Sequence, residues 1–454
     1  MSDLLAARSQ MAMSLGFHII FAMVGIGMPL LMVLADWRYR RTSDPIFLEL
    51  SKRWAKGTAI LFAVGAVSGT VLSFELGLLW PGFMEFAGAI IGMPFSLEGF
   101  AFFTEAIFLG LYLYGRDRLS SRAHFAAGIL VAASGVLSGI FVVIANAWMN
   151  VPRGFRLENG VAVDVDPIAA MMTPAAFPQA LHMTLAAYAS TGFAVAAIHC
   201  WQLRRGLAPA FHRRALGIAL TVAVPAALLQ PVSGDLSARM VARYQPAKLA
   251  ALEGQFVTER RAPLRIGGWP DMEAGETRYA VEIPGALSFL AFRDFDAEVQ
   301  GLDRVPRQDW PPVPVVHIAF QVMLALGLFM ALVSLGVLWR VVRRRPVERS
   351  PLLARGIIAA GPMGFLATEA GWTVTEVGRQ PWVIQHTLRT SEAVTPMPGL
   401  IVPFLLFTGL YLFLAVIVVM LLARQFRMVP ASMLHTAERM ASGVVTESPA
   451  EDET

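Results

Sequence analysis

The stretch VPVVHIAFQVMLALGLFMALVSLGVLWRVVRRR, residues 313–345, decides what kind of protein this is. Residues 313–339 carry no Asp, Glu, Lys or Arg, and then Arg340, Arg343, Arg344 and Arg345 follow at once. At ~1.5 Å per residue this run outspans the ~30 Å of bilayer hydrocarbon. An apolar run with arginines at one end reads as a membrane-spanning helix whose basic end faces the cytoplasm.

The same pattern recurs along the chain. Nine spans are expected, at 11–35, 57–80, 94–114, 125–148, 178–202, 215–232, 313–339, 352–377 and 398–424. Of the 454 residues 56% are hydrophobic and 15% charged, which excludes a soluble multidomain protein. Continuous rather than alternating apolar runs exclude a transmembrane β-barrel. The fold class is therefore all-α and polytopic. No 20–50-residue period repeats, so a solenoid or an inverted-repeat transporter gains no support. With Asp3 and Arg8 in its first ten residues and no short apolar core before a cleavage site, the chain is expected to lack a cleavable signal peptide. Cys200, the single cysteine, has no internal disulfide partner.

Basic residues set the orientation. Loops 36–56, 115–124, 203–214 and 340–355 are rich in Lys and Arg, whereas 81–93, 149–177 and 378–397 hold only Arg153, Arg156, Arg379 and Arg389. The N-terminus is thus expected outside (periplasmic) and the C-terminus in the cytoplasm. The loops account for the net charge of +4 with no need for nucleic acid. The chain divides into four segments: helices 1–6 in 1–232, a long outer loop at 233–312, helices 7–9 in 313–424, and a solvated, disordered tail at 425–454 ending TESPAEDET. Within the long loop, PAKLAALEGQF reads as a helix.

Ionisable groups inside hydrocarbon are costly and mark function. His18, Glu98, Glu105, His182, Glu369 and Glu376 lie inside the expected spans, with Met323 toward mid-membrane. In this orientation His18, Glu98, His182 and Glu376 fall in one outer layer, and Glu105 lies about 10 Å deeper than Glu98 on the same helix face. Histidine, methionine and carboxylate are haem ligands, and a His/Met pair suits a low-spin electron-transfer haem. A non-haem metal is the alternative, but the close Glu-x-x-His repeats of bundle metal sites are missing. Met323 is one of 22 methionines and by itself reads as core filler. His199, His124, His212 and His435 read as solvated or interfacial, and His317 and His386 are left between surface and site. A Lys/Glu pair such as Lys248 and Glu253 ordinarily reads as solvated surface.

The segments ARSQMAMSLGFHIIFA, PFSLEGFAFFTEAIFLGLYLYG, NAWMNVP, PAKLAALEGQF, FQVM and above all GWTVTEVGRQPW resemble subunit I of the cytochrome bd quinol oxidases, over nearly the whole chain. The short outer loop and the spelling of helix three look closest to the cyanide-insensitive branch. The resemblance implies that His182 and Met323 hold the low-spin haem b558. It gives His18 and Glu376 to the two high-spin haems, b595 and d, without deciding which takes which. Glu98 and Glu105 match acids on a proton route to the oxygen-reducing site. Lys248 and Glu253 match a quinol-oxidising pair in the outer loop, called the Q-loop. Trp372 matches an aromatic between haems, and Arg379 a partner for haem propionates. Gln321 departs from members with an arginine there, and the loop lacks their long insertion.

The resemblance therefore implies a haem-containing quinol:O2 oxidoreductase of the bacterial inner membrane. It would work with a second membrane subunit, subunit II, and with small accessory subunits, using quinol and O2 amid membrane lipid. Protons would come from the cytoplasm without a separate pump. The rivals are a cation- or proton-coupled transporter using Glu98 and Glu105, and a non-catalytic haem-binding subunit.

Overall fold

The computed structural model describes residues 1–427. Among them, nine helices are long and apolar enough to cross a membrane: α1 Asp3–Thr42, α2 Pro45–Leu79, α3 Pro81–Tyr114, α4 Ser121–Asn150, α5 Ala176–Arg204, α6 Pro209–Tyr244, α7 Val313–Val342, α8 Pro351–Val377 and α9 Ile401–Arg427. Each expected span lies within or almost within one of these helices, yet most helices overrun their span. Hydropathy marks hydrocarbon thickness, whereas backbone hydrogen bonding continues into the interface and beyond.

Three expectations change as a result. Residues 81–93, expected as a loop, form the first turns of α3, which begins on Pro81 directly after Trp80. Proline suits that first helical position because its missing N–H would have had no intrahelical acceptor. The long connection begins not at 233 but after Tyr244, because α6 continues through Pro225 and Pro231. The tail expected at 425–454 starts as the last turn of α9, and from residue 428 it lies outside the described residues.

Short connections make neighbours antiparallel, and the helices close into two rings of four. In one, α1 packs on α2, α2 on α3, α3 on α4 and α4 on α1; in the other, α5–α8 close in the same way. The rings join where α1 and α4 meet α5, and α9 lies outside against α1 and α2. Small residues permit the close approaches. A Cβ on Gly364 of α8 would stand 2.5 Å from the Ser190 backbone of α5, and one on Gly192 of α5 would stand 2.8 Å from Ala223 of α6.

The main apolar core, including Leu31, Met32, Leu50, Phe193 and Ile357, fills the half of the molecule nearer the basic connections. The opposite half holds the ligand-type side chains and the long connection. That connection is ordered. A helix, Pro246–Glu253, is followed by nested antiparallel pairs: Glu259–Arg260 with Glu298–Val299, Leu264–Ile266 with Val281–Ile283, and Trp269–Asp271 with Glu276–Arg278. A short helix, Ala286–Phe292, lies between the returning strands.

Candidate functional site

Two histidines are prepared in the same way by a serine on the neighbouring helix. His18 Nδ1 on α1 is 2.9 Å from Ser68 Oγ on α2, and Ser68 donates its own hydrogen to Val64 O at 3.0 Å. With that hydrogen on the carbonyl, the serine oxygen accepts from Nδ1–H in the tautomer that leaves the Nε2 lone pair of His18 to bind something else. His182 on α5 repeats this at 2.9 Å from Ser233 Oγ of α6, whose hydroxyl donates to Gln230 O at 2.9 Å. A metal-ligating imidazole characteristically has its second nitrogen fixed by such a donor bond. Glycines keep space beside two of the ligand-type side chains. A Cβ at Gly69 would lie 3.0 Å from the His18 ring, and one at Gly371 would lie 3.0 Å from Met323 Sδ.

Glu376, at the end of α8, sits in a partly buried polar chain. Asn146 Nδ2 donates to Glu376 Oε1, and Arg379 Nη2 donates to Oε2 at 2.6 Å. Asn150 Nδ2 donates to Asn146 Oδ1 at 2.9 Å. Lys248 Nζ, on the loop helix, donates to Asn150 Oδ1 at 2.5 Å and to Thr375 O at 3.2 Å. One chain of contacts thus runs from the long connection through α4 to the carboxylate on α8. Gly378 caps α8, and Trp372, one turn before Glu376, packs against the cluster of Ile19, Met23, Ile26 and Ala187, which Met183 also borders.

The α3 acids point at α4. Ser138 Oγ donates to Glu98 Oε1 at 3.2 Å. Glu105 is 4% exposed and packs against the bare backbone of Gly135, where a Cβ would stand 3.3 Å from its carboxyl. Its Oε1 has no partner among the described residues.

Lys248 and Glu253 are not solvated surface: each is 4% exposed. Burial holds the Lys248 ammonium well below its usual range, with Arg379 pushing the same way and Glu376 opposing. Burial pushes the Glu253 carboxyl up to about 8, against the pull of Arg265. The loop is seated on α7 by two side chains one turn apart. His317 contacts Leu252 O at 2.7 Å and Gly267 O at 3.1 Å. Gln321 accepts from Gly267 N–H and donates to Arg265 O, both at 3.1 Å. The neutral amide at 321 therefore serves the loop backbone.

A family profile described as cytochrome bd terminal oxidase subunit I matches residues 6–430. The chain belongs to this family. A Bacillus subtilis (strain 168) protein with the provisional name cytochrome bd menaquinol oxidase subunit I is 40% identical over 445 residues, spanning 96% of this chain and all of its own. A second protein of that strain, cytochrome bd ubiquinol oxidase subunit 1, is 31% identical over 94% of both chains. The solved bd oxidase from Geobacillus thermodenitrificans superposes with a TM-score of 0.89 at 38% identity, covering 94% of this chain and 99% of that one. Membership of the cytochrome bd family carries with it an oxidoreductase role, haem cofactors, a subunit II partner and a multi-pass place in a bacterial membrane.

The residues present fit haem. His18 offers an Nε2 with no protein partner among the described residues, that of His182 is met by the Gln230 amide at 3.1 Å, and buried Arg379 has Nε and Nη1 without partners among the described residues, as donors awaiting carboxylates would. No group of three or more His, Cys, Asp and Glu able to hold a bare metal ion occurs among the described residues.

Sequence reasoning overlooked several groups. Glu75 of α2 is 2% exposed and accepts from Gln10 at 2.9 Å and Ser14 at 2.8 Å; an acid in an apolar run was the available signal. Asn146 and Asn150 stand in the NAWMNVP segment but gave no hint of their linkage. Two histidine readings are corrected. His124, 2% exposed, is held by Tyr112 O at 2.9 Å and lies near Asp36; His199, 5% exposed, pairs with His212 at 2.7 Å. Helix ends packed against one another buried them, which local polarity does not disclose. His386 is exposed, and His435 lies outside the described residues.

Proposed function

We propose that this chain is the haem-bearing subunit of a terminal oxidase that oxidises quinol at the outer face of the bacterial inner membrane and reduces O2 to water. The net reaction turns two quinols and one O2 into two quinones and two waters. Four protons are taken from the cytoplasm and four released outside. His182 and Met323 hold haem b558, while His18 and Glu376 hold haem b595 and haem d between them. Bound haem supplies the redox-active iron for electron transfer and oxygen reduction.

The chain's own residues do the rest. Ser68 and Ser233 fix the two imidazole tautomers. Arg379 neutralises the carboxylates of haem. Glu253 Oε2, buried and without a partner among the described residues, accepts a proton from a quinol hydroxyl, and the desolvated Lys248 amine beside the Glu376 chain orients that hydroxyl. Glu105 takes protons arriving from the basic end and passes them to Glu98, one stretch of the same helix face nearer the His18 layer. Because the ligand-bearing residues lie in one half of the bundle, electrons cross little of the membrane and the protons carry the charge. Each proton moved fully across 100 mV stores about 2.3 kcal/mol.

The observation that carries this reading is the hydrogen-bonded chain Lys248–Asn150–Asn146–Glu376–Arg379, which ties a Q-loop amine to a ligand-type carboxylate. A reduced-minus-oxidised absorption spectrum of the purified two-subunit complex, with quinol-driven oxygen uptake, tests it. Three haem signatures including a far-red band, with uptake, are expected. A colourless complex would sink the reading and favour transport.

A further inference from the structure

At the basic end, α6 and the α7–α8 connection enclose a cleft of about 430 Å³ whose lining includes Arg213, Gly217 and Leu220 of α6 and Arg345, Val347 and Arg349 of the connection. Glu348 neutralises Arg213 at 2.7 Å. Arg345 and Arg349 are exposed and have no carboxylate partner among the described residues. The mouth of the cleft is thus cationic, whereas its floor is apolar, with Leu216, Leu220 and Val347 all buried.

Below the mouth, the exposed positions of α6 are Gly217, Thr221, Pro225 and Leu229, four residues apart and so on one slowly winding face. A Cβ at Gly217 would meet nothing within 4 Å, so this face is open at the cleft. From Gly217 to Leu229 it runs about 18 Å, slightly more than half the ~30 Å hydrocarbon thickness. Trp339, 52% exposed with Arg343 stacked 5.8 Å from its ring centre, marks the adjoining end of α7 as interfacial.

We propose that this cleft binds an anionic membrane lipid, its phosphodiester held by Arg345 and Arg349 and one acyl chain lying along the exposed Gly217–Leu229 face. Guanidinium suits a phosphodiester because its paired N–H groups match two oxygens of one phosphate. A free phosphate would use the arginines but leave the apolar floor and face uncovered, and a zwitterionic lipid would cover them while bringing its own cation to the arginines.

The test is native mass spectrometry of the intact two-subunit complex, released from nanodiscs of phosphatidylglycerol or phosphatidylcholine. Wild type should retain phosphatidylglycerol preferentially, and Arg345→Gln/Arg349→Gln should weaken retention about 10- to 30-fold, each basic group near an anionic surface contributing a factor of about five. Arg345→Lys/Arg349→Lys should recover part of it, and an unchanged haem spectrum checks folding. Equal retention of both lipids, or no loss in the double glutamine variant, overturns the proposal. Displacement by millimolar inorganic phosphate would make this a free-anion site instead. Retention appearing only after removal of residues 428–454 would assign the cleft to the acidic tail.

Discussion

His317 Nδ1 lies 2.7 Å from the carbonyl oxygen of Leu252, the residue immediately before Glu253. The other ring nitrogen reaches Gly267 O at 3.1 Å, so one fully buried imidazole on α7 pins both the loop helix and the first hairpin. The position of Glu253 is therefore set from within the bundle. Replacing the ring with His317→Phe removes both contacts, of which a neutral imidazole donates one hydrogen bond, worth about 1 kcal/mol. The quinol KM should rise about fivefold with the haem spectrum intact, and amide exchange over 246–267 should accelerate. An unchanged exchange pattern would show that the loop is held by other contacts.

Met323→Leu keeps volume and apolarity but removes the sulfur. The reduced spectrum of the low-spin haem should disappear while the ligand-binding haems persist. Because the change is nearly isosteric, global stability should move by less than about 1.5 kcal/mol. Retention of the full spectrum would remove Met323 from the axial pair.

Glu105→Gln preserves shape beside Gly135 and abolishes proton exchange at that carboxyl. Oxygen reduction should slow by about 10²-fold or more, within the usual worth of a positioned acid or base, with all haems still bound. Normal turnover would take Glu105 off the proton path.

Glu253 gives a pH dependence of definite sign. Its folded-state value, about 8, exceeds the ordinary 4.5, so the native protein binds more protons than the unfolded chain between those values. Stability from this group is complete below pH 4.5 and falls as pH rises toward 8, by up to about 1.4 kcal/mol per pH unit. Activity should run the other way, since only the ionised form accepts a quinol proton: kcat/KM should climb toward pH 8. Glu253→Gln should flatten both profiles, measured by thermal unfolding and by quinol-driven oxygen uptake across roughly pH 5–9. A wild-type stability slope that survives the substitution would assign the titration elsewhere.

How far the site was legible depended on which physical quantity each residue expressed locally. His18, Glu98, Glu105, His182 and Glu376 stood out because a polar group in an apolar run is costly wherever the helix turns. Nine spans were readable from the same contrast. Ser68 and Ser233 did not stand out, since a serine is commonplace in a membrane helix until its neighbour's imidazole is in view. Lys248 and Glu253 read locally as surface, and their burial arises from the docking of the loop on α4, α7 and α8, a tertiary fact. Glu75 expressed the same signal as the residues that were noticed; nothing physical hid it.

The tip of the nested hairpins is the reverse of the pinned loop helix. Glu273 and Ala274 are exposed, their N–H groups capped by Asp271 Oδ1 at 3.0 Å, and the turn closes through Gly275 at φ +67°. Foreign residues spliced at this tip would leave the seat at His317 and Gln321 alone. A short epitope or a single labelling cysteine there becomes an address tag: reagents that cannot enter a living cell would reach it only if the long loop faces outward, so one staining experiment on intact bacteria reads the sidedness of the whole chain.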